Sequence, residues 1–144
     1  AIEAAGISYD IVPGISSAAA AAAALNVSLT RRGRNTGLRI ITAHDAASFL
    51  EHDWHELAKE GSVAAIYMGK SAAKFMQGRL LMHGANVATP VTIVENASRS
   101  DQQIIAATLA NLPARLEGVA GPCVLMLGLA PRQAHNALSK AAAQ

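Results

Sequence analysis

Apolar residues in this chain fall into short runs, each closed by glycine, proline or a polar cluster, and the stretches between them are amphipathic or rich in alanine. Short β-branched runs predict buried strands, and the longer stretches predict helices. Residues 9–12 make the first predicted strand, which breaks at Pro13-Gly14 because proline donates nothing to a ladder and glycine accepts turn angles. A helix follows over residues 16–25, favoured by its alanines and ended near Asn26. Residues 27–37, with three arginines and two glycines, read as a linker. Beyond it the pattern predicts strands over residues 38–42, 63–67, 90–95 and 123–127. Helices are predicted over 54–60, 71–83 and 112–117, the first capped by Asp53 and stopped by Gly61, the second followed by Gly84. Residues 102–108 alternate enough for an extended arm, and 132–144 form an alanine-rich tail, helical or frayed.

Strand and helix in alternation with short connections predict an α/β fold, a largely parallel or mixed sheet flanked by helices. Ligands in such folds sit beyond the carboxyl ends of strands. That rule selects four segments: Ser16-Ser17, Ala43-His44-Asp45, Met68-Gly69 and Asn96-Ala97-Ser98. Ser16 and Ser17 open a helix whose first amides lack partners, so they serve either as a cap or as donors to a polar ligand. Met68 either fills core or offers a polarizable contact. His44 and Asp45 form an acid/base pair or, if Asp45 turns onto its own backbone, a capped turn.

Composition narrows the picture. With 144 residues and 51% apolar content the chain is the size of one domain and buries a real core, although alanine and only five aromatics make that core finely grained. A formal charge of +2, with cations scattered and no aromatic interleaving, argues against nucleic acid as a partner. The single cysteine, Cys123, makes no internal disulfide, no spacing suits a metal, and a reducing cytoplasmic setting is expected. The longest apolar run, residues 18–25, is too short to span a bilayer. Residues 1–6 read as the end of a helix with a glycine cap, so the chain is expected to start inside a larger fold.

Several segments together carry a family resemblance. Tyr9-Asp10-Ile11-Val12-Pro13-Gly14-Ile15-Ser16-Ser17-Ala18, Ser28-Leu29-Thr30-Arg31-Arg32-Gly33 and Ile40-Ile41-Thr42-Ala43-His44-Asp45 resemble, in order and spacing, the tetrapyrrole methylase family. Trp54 with Leu57-Ala58, Tyr67-Met68-Gly69, Thr89-Pro90-Val91, Val94-Glu95-Asn96-Ala97-Ser98 and Gly121-Pro122-Cys123-Val124 agree, and are most similar to the uroporphyrinogen-III C-methyltransferases, including the methylase part of sirohaem synthases.

The resemblance implies two α/β domains with S-adenosyl-methionine folded in the cleft between them, and methyl transfer from its sulfonium to a pyrrole carbon, leaving S-adenosyl-homocysteine. It places Ser16, Ser17, Met68 and Ala97 at the cofactor, with Pro122, Cys123 and Val124 as the segment whose backbone reads adenine. Glu95 takes a structural or cofactor-adjacent role. Arg31 stands where the family commonly has histidine, and with Arg32 it either binds substrate carboxylates or forms a solvated linker cluster. The family's Gly-x-Gly-Pro-Gly-Asp and Gly-Gly-Asp-Pro loops, with their acid and base positions, are absent and are expected upstream of Ala1. Residues 1–29 then complete an amino-terminal domain, 30–38 link, and 39–144 form the carboxyl-terminal domain of a homodimeric enzyme of sirohaem and cobalamin biosynthesis. As such a fragment the chain is expected to lack turnover, and strand 9–12, without its sheet, to be loose or to pair with another copy. The alternatives are a methylase of a later corrin precursor and a non-catalytic α/β module that binds a nucleotide-like ligand or a protein.

Overall fold

The structure, a computed structural model, describes residues 1–44 and 48–132. Asp45 and the alanine-rich tail beyond Arg132 lie outside the described residues. Five strands form one sheet: β1 (Arg39–Thr42), β2 (Ala64–Tyr67), β3 (Pro90–Glu95), β4 (Gln103–Thr108) and β5 (Cys123–Leu127), in the spatial order β1-β2-β5-β3-β4. Only β1 and β2 pair in parallel; the β2/β5, β5/β3 and β3/β4 pairs are antiparallel. The sheet is therefore mixed rather than largely parallel. The connection from β3 to β4 is too short for a crossover, so β4 folds back as a hairpin partner. Residues 102–108, expected as an extended arm, are extended over Gln103–Thr108 and pair as an edge strand in register with β3, from Pro90 opposite Thr108 to Glu95 opposite Gln103.

Among the described residues four α-helices flank the sheet: α1 (Ser17–Leu25), α2 (Trp54–Ala58), α3 (Gly69–Met82) and α4 (Leu112–Arg115). The Ser16 side chain accepts from the Ala19 amide at the start of α1, and Asn26 closes that helix in the left-handed conformation. Asp53 caps α2 as expected, accepting from the Glu56 amide. Helix α3 starts two residues before the predicted Ser71, because Met68 takes a left-handed turn (φ 51°) and Gly69 can enter the helix at once. A methyl group on Gly69 would lie 2.5 Å from Leu125 Cδ1, so a larger residue there would force the Leu125 side chain to move, and glycine lets α3 start this close to β5 without that shift.

Alternation along β5 divides the core. Leu125 and Leu127 join Ile66, Ile93, Trp54, Met76, Leu80 and Leu116 beneath α2, α3 and α4. Val124 and Met126 face the other way, against Val63, Ala65, Val94 and the Ala18, Ala21 and Leu25 side chains of α1. The alanines let α1 lie close on the sheet, and each large side chain fully buried here contributes roughly 1.5–3 kcal/mol. Residues 9–12 form no ladder in this chain, and Ile11 and Val12 are 85% and 83% exposed. A strand without a partner leaves its N–H and C=O groups to water, and the sheet edges at β1 and β4 take none of them.

Candidate functional site

Strand direction assembles the site. The carboxyl ends of β1, β2 and β3 and the amino ends of β4 and β5 fall on one edge of the sheet. That edge carries Ala43-His44, Met68, Asn96-Ala97 and Pro122-Cys123. Ser16 and Ser17 reach it through a residue to which sequence reasoning gave no role. The Tyr67 hydroxyl, at the end of β2, accepts from the Ala18 amide at 3.2 Å. Hydrogen bonding from Ser17 first, then from the Ala18 amide and Ser16, lowers the Tyr67 pKa from its usual 10.0, against an opposing push from burial. The sequence signal was a lone polar-tipped aromatic closing an apolar strand.

Tyr67→Phe is expected to cost about 1 kcal/mol, because the Ala18 amide loses its acceptor. With a depressed folded pKa, the phenolate is stabilised by folding, so this contribution grows as pH rises through the folded pKa and is complete above the unfolded value of about 10. Urea denaturation of both proteins should show the gap between them widening toward alkaline pH; a constant gap would show that the phenol carries no linked proton.

Met68 is 50% exposed and does not fill core. It borders a cleft of about 510 Å³ with His44, Lys70, Ser71, Pro113 and Leu116. Beside it a notch opens in the sheet. The β2/β5 ladder ends at Ile66 opposite Leu125, whereas the β3/β5 ladder continues to Glu95 opposite Cys123. The first two residues of β5 therefore present an unladdered backbone edge toward Met68. The Val124 side chain is buried in the second core, so only its backbone serves that edge. Cys123 is half-buried; burial pushes its thiol pKa up, the Lys70 charge pulls the other way, and Glu95 adds to the rise. Ala97, half-buried, packs against the second core.

Behind the notch lies a polar brace. Glu95, 5% exposed, accepts from the Gly121 N–H through Oε1, and the Pro122 carbonyl accepts from the Asn96 amide at 3.0 Å. Asn96, itself left-handed, donates to Asp101 at 2.8 Å, while its Oδ1 is buried without a partner among the described residues. Arg31 and Arg32 are not brought to this edge. Arg31 lines a cavity with Pro90, Thr108 and Gly128, at the opposite end of the sheet, and Arg32 is exposed outside it.

The sequence profile of the tetrapyrrole (corrin/porphyrin) methylases matches residues 1–113. The chain belongs to that family. Among its relatives, sirohaem synthase 3 of Aeromonas hydrophila is 37% identical over 123 residues, covering 85% of this chain and 26% of that protein. The sirohaem synthase of Pseudoalteromonas translucida is 37% identical over 124 residues, with the same coverage of 85% and 26%. This member of the family thus spans about a quarter of the length of those relatives. Its fold matches a cobalt precorrin-4 methyltransferase (TM-score 0.77, 25% identity, 88% of this chain and 54% of that one). It also matches the uroporphyrin-III C-methyltransferase of Thermus thermophilus complexed with S-adenosyl-homocysteine (TM-score 0.70, 23% identity, 88% and 55%). Among the described residues no helix is long and apolar enough to cross a membrane.

Proposed function

We propose that this chain forms one wall of the S-adenosyl-methionine site of a tetrapyrrole C-methyltransferase acting on uroporphyrinogen III to give precorrin-2. One observation carries the reading: Ser16-Ser17, Met68, Ala97 and Pro122–Val124, scattered through the chain, converge on a single edge of the sheet. That edge fits the cofactor. The unladdered backbone of Cys123 and Val124 suits the hydrogen-bonding rim of adenine, the exposed Met68 thioether suits a flat or polarizable face, and Ala97 leaves room. When bound, the cofactor supplies an electrophilic methyl group; the chain's own groups position it and exclude water.

The reading includes a two-domain arrangement in which residues 1–29 belong to the amino-terminal part and 39–144 to the carboxyl-terminal part; the chain covers 54% and 55% of the two solved structures it matches. Within this reading the chain alone does not turn over, the full protein is a cytoplasmic homodimer, and its pathway is that of sirohaem and cobalamin. Substrate-carboxylate binding by Arg31 and Arg32 is not part of it, since both lie away from the reacting edge. Methylation of a later corrin precursor is the second reading, supported by the TM-score of 0.77 to the cobalt precorrin-4 enzyme.

Calorimetric titration of S-adenosyl-homocysteine into the full-length gene product and into this chain tests the proposal. Binding by the first, with weak or no binding by the second, is the expected result; no binding by either would leave only the non-catalytic module. Cys123 gives an independent readout. Its raised pKa predicts slow alkylation at neutral pH, and saturating S-adenosyl-homocysteine should slow labelling of the full-length protein at least severalfold further. Unchanged labelling would place the cofactor elsewhere.

A further inference from the structure

At the end of the sheet opposite the notch, the carboxyl end of α1 and the β3/β4 hairpin enclose a cavity of about 610 Å³. Its walls are small and apolar, including Ala88, Pro90, Ala106 and Ala107, and its polar rim carries Arg31, Arg34 and Arg132 with no acidic residue. Arg34 is held in place from behind. Its Nε donates to Asn35 Oδ1 at 2.7 Å, and its Nη2 donates to the Ser28 and Leu29 carbonyls at 2.6 and 3.3 Å. Two further N–H groups on Nη1 complete the guanidinium. All three of these acceptors are neutral, and among the described residues the ion pairs use Arg39, Lys59 and Arg79 rather than Arg31 or Arg34. Burial first, and the nearby charge of Arg31 second, both work against the charged form of Arg34. The fold thus fixes one guanidinium beside a second, and among the described residues no ion pair offsets the repulsion.

We propose that this cavity binds a small organic polycarboxylate, whose apolar body lies on the alanine and proline walls while its carboxylates meet Arg31 and Arg34. A guanidinium fork matches a carboxylate in geometry and charge, and one already oriented by three bonds loses little freedom on binding. The site stands independently of the methyltransferase reading, because it shares no lining residue with the notch.

The test is titration of benzene-1,3,5-tricarboxylate into the chain, followed by backbone amide spectra, with inorganic sulfate and the corresponding neutral tricarboxamide in parallel. Saturable shifts at Ala88, Ala106, Ala107 and Thr108 are expected, weakening as salt is raised. Arg31→Gln, at an exposed position, should lower affinity about tenfold without altering the thermal melt. Ala106→Glu, also exposed, should block the site by supplying an internal carboxylate while both arginines remain. Unchanged affinity in either variant, shifts confined to Met68 and Cys123, or sulfate binding as tightly as the tricarboxylate would each overturn the proposal, the last by reducing it to an adventitious ion only.

Discussion

Gly128→Ala is expected to lower the melting temperature by roughly 10 °C or more, or to prevent folding. Gly128 follows β5 with φ +77°, where a side chain is strained by roughly 1–2 kcal/mol. Sterics add more. A methyl group there would lie 2.0 Å from the Ser62 carbonyl oxygen and 3.1 Å from its carbon. Those are backbone atoms just ahead of β2, so no rotamer change relieves the contact. The Gly128 amide also donates to the Pro90 carbonyl at 2.8 Å, tying the end of β5 to the start of β3. Moving the segment would therefore disturb the central strand. A combined cost of several kcal/mol is a large share of the roughly 5–15 kcal/mol that hold a domain together. Gly78→Ala supplies the contrast: Gly78 is exposed within α3 with nothing inside 4 Å, and alanine there should stabilise by up to about 1 kcal/mol. Thermal melts by circular dichroism decide both. Equal melts for the two variants would refute the close approach at Ser62.

Glu95→Ala is the second large effect. The Glu95 carboxylate is buried at the end of β3 and accepts from the Gly121 N–H, so it positions the segment that leads into Pro122, Cys123 and Val124. Removing it strands that N–H at a cost of roughly 1–3 kcal/mol. If the notch binds the adenosyl cofactor, the loosened segment should also weaken S-adenosyl-homocysteine binding by the full-length protein, by about tenfold for each 1.4 kcal/mol of lost positioning. Glu95→Gln retains an acceptor oxygen and should recover most of both losses. Urea denaturation paired with calorimetry separates the outcomes: a destabilised Glu95→Ala protein that binds with full affinity would make Glu95 structural only.

Much of the fold was legible because it is set by neighbours in sequence. The predicted strands over 90–95 and 123–127 coincide with β3 and β5, since each is an apolar run closed at both ends. The Ser16 and Asp53 caps and the stop at Asn26 also follow from local chemistry, a short polar side chain reaching its own helix amides or tolerating a left-handed turn. The early start of α3 was not legible. It depends on Gly69 packing against Leu125, fifty-six residues away in sequence. Residues 9–12 were expected to form a strand and do not: no edge in this chain takes them, and β-propensity without a partner does not make a ladder.

The same division runs through the candidate site. By itself the sequence determined which loops follow strands, which residues they carry, and the family to which they belong, because those depend on short motifs and their order. Only the tertiary structure decided that β5 inserts antiparallel between β2 and β3, which brings Cys123 beside Met68 and Glu95. It also gave Tyr67 its bonds to the start of α1 and sent Arg31 to the far end. Strand order and direction are fixed by which distant faces bury each other most completely, and a pattern read one window at a time carries no record of that choice.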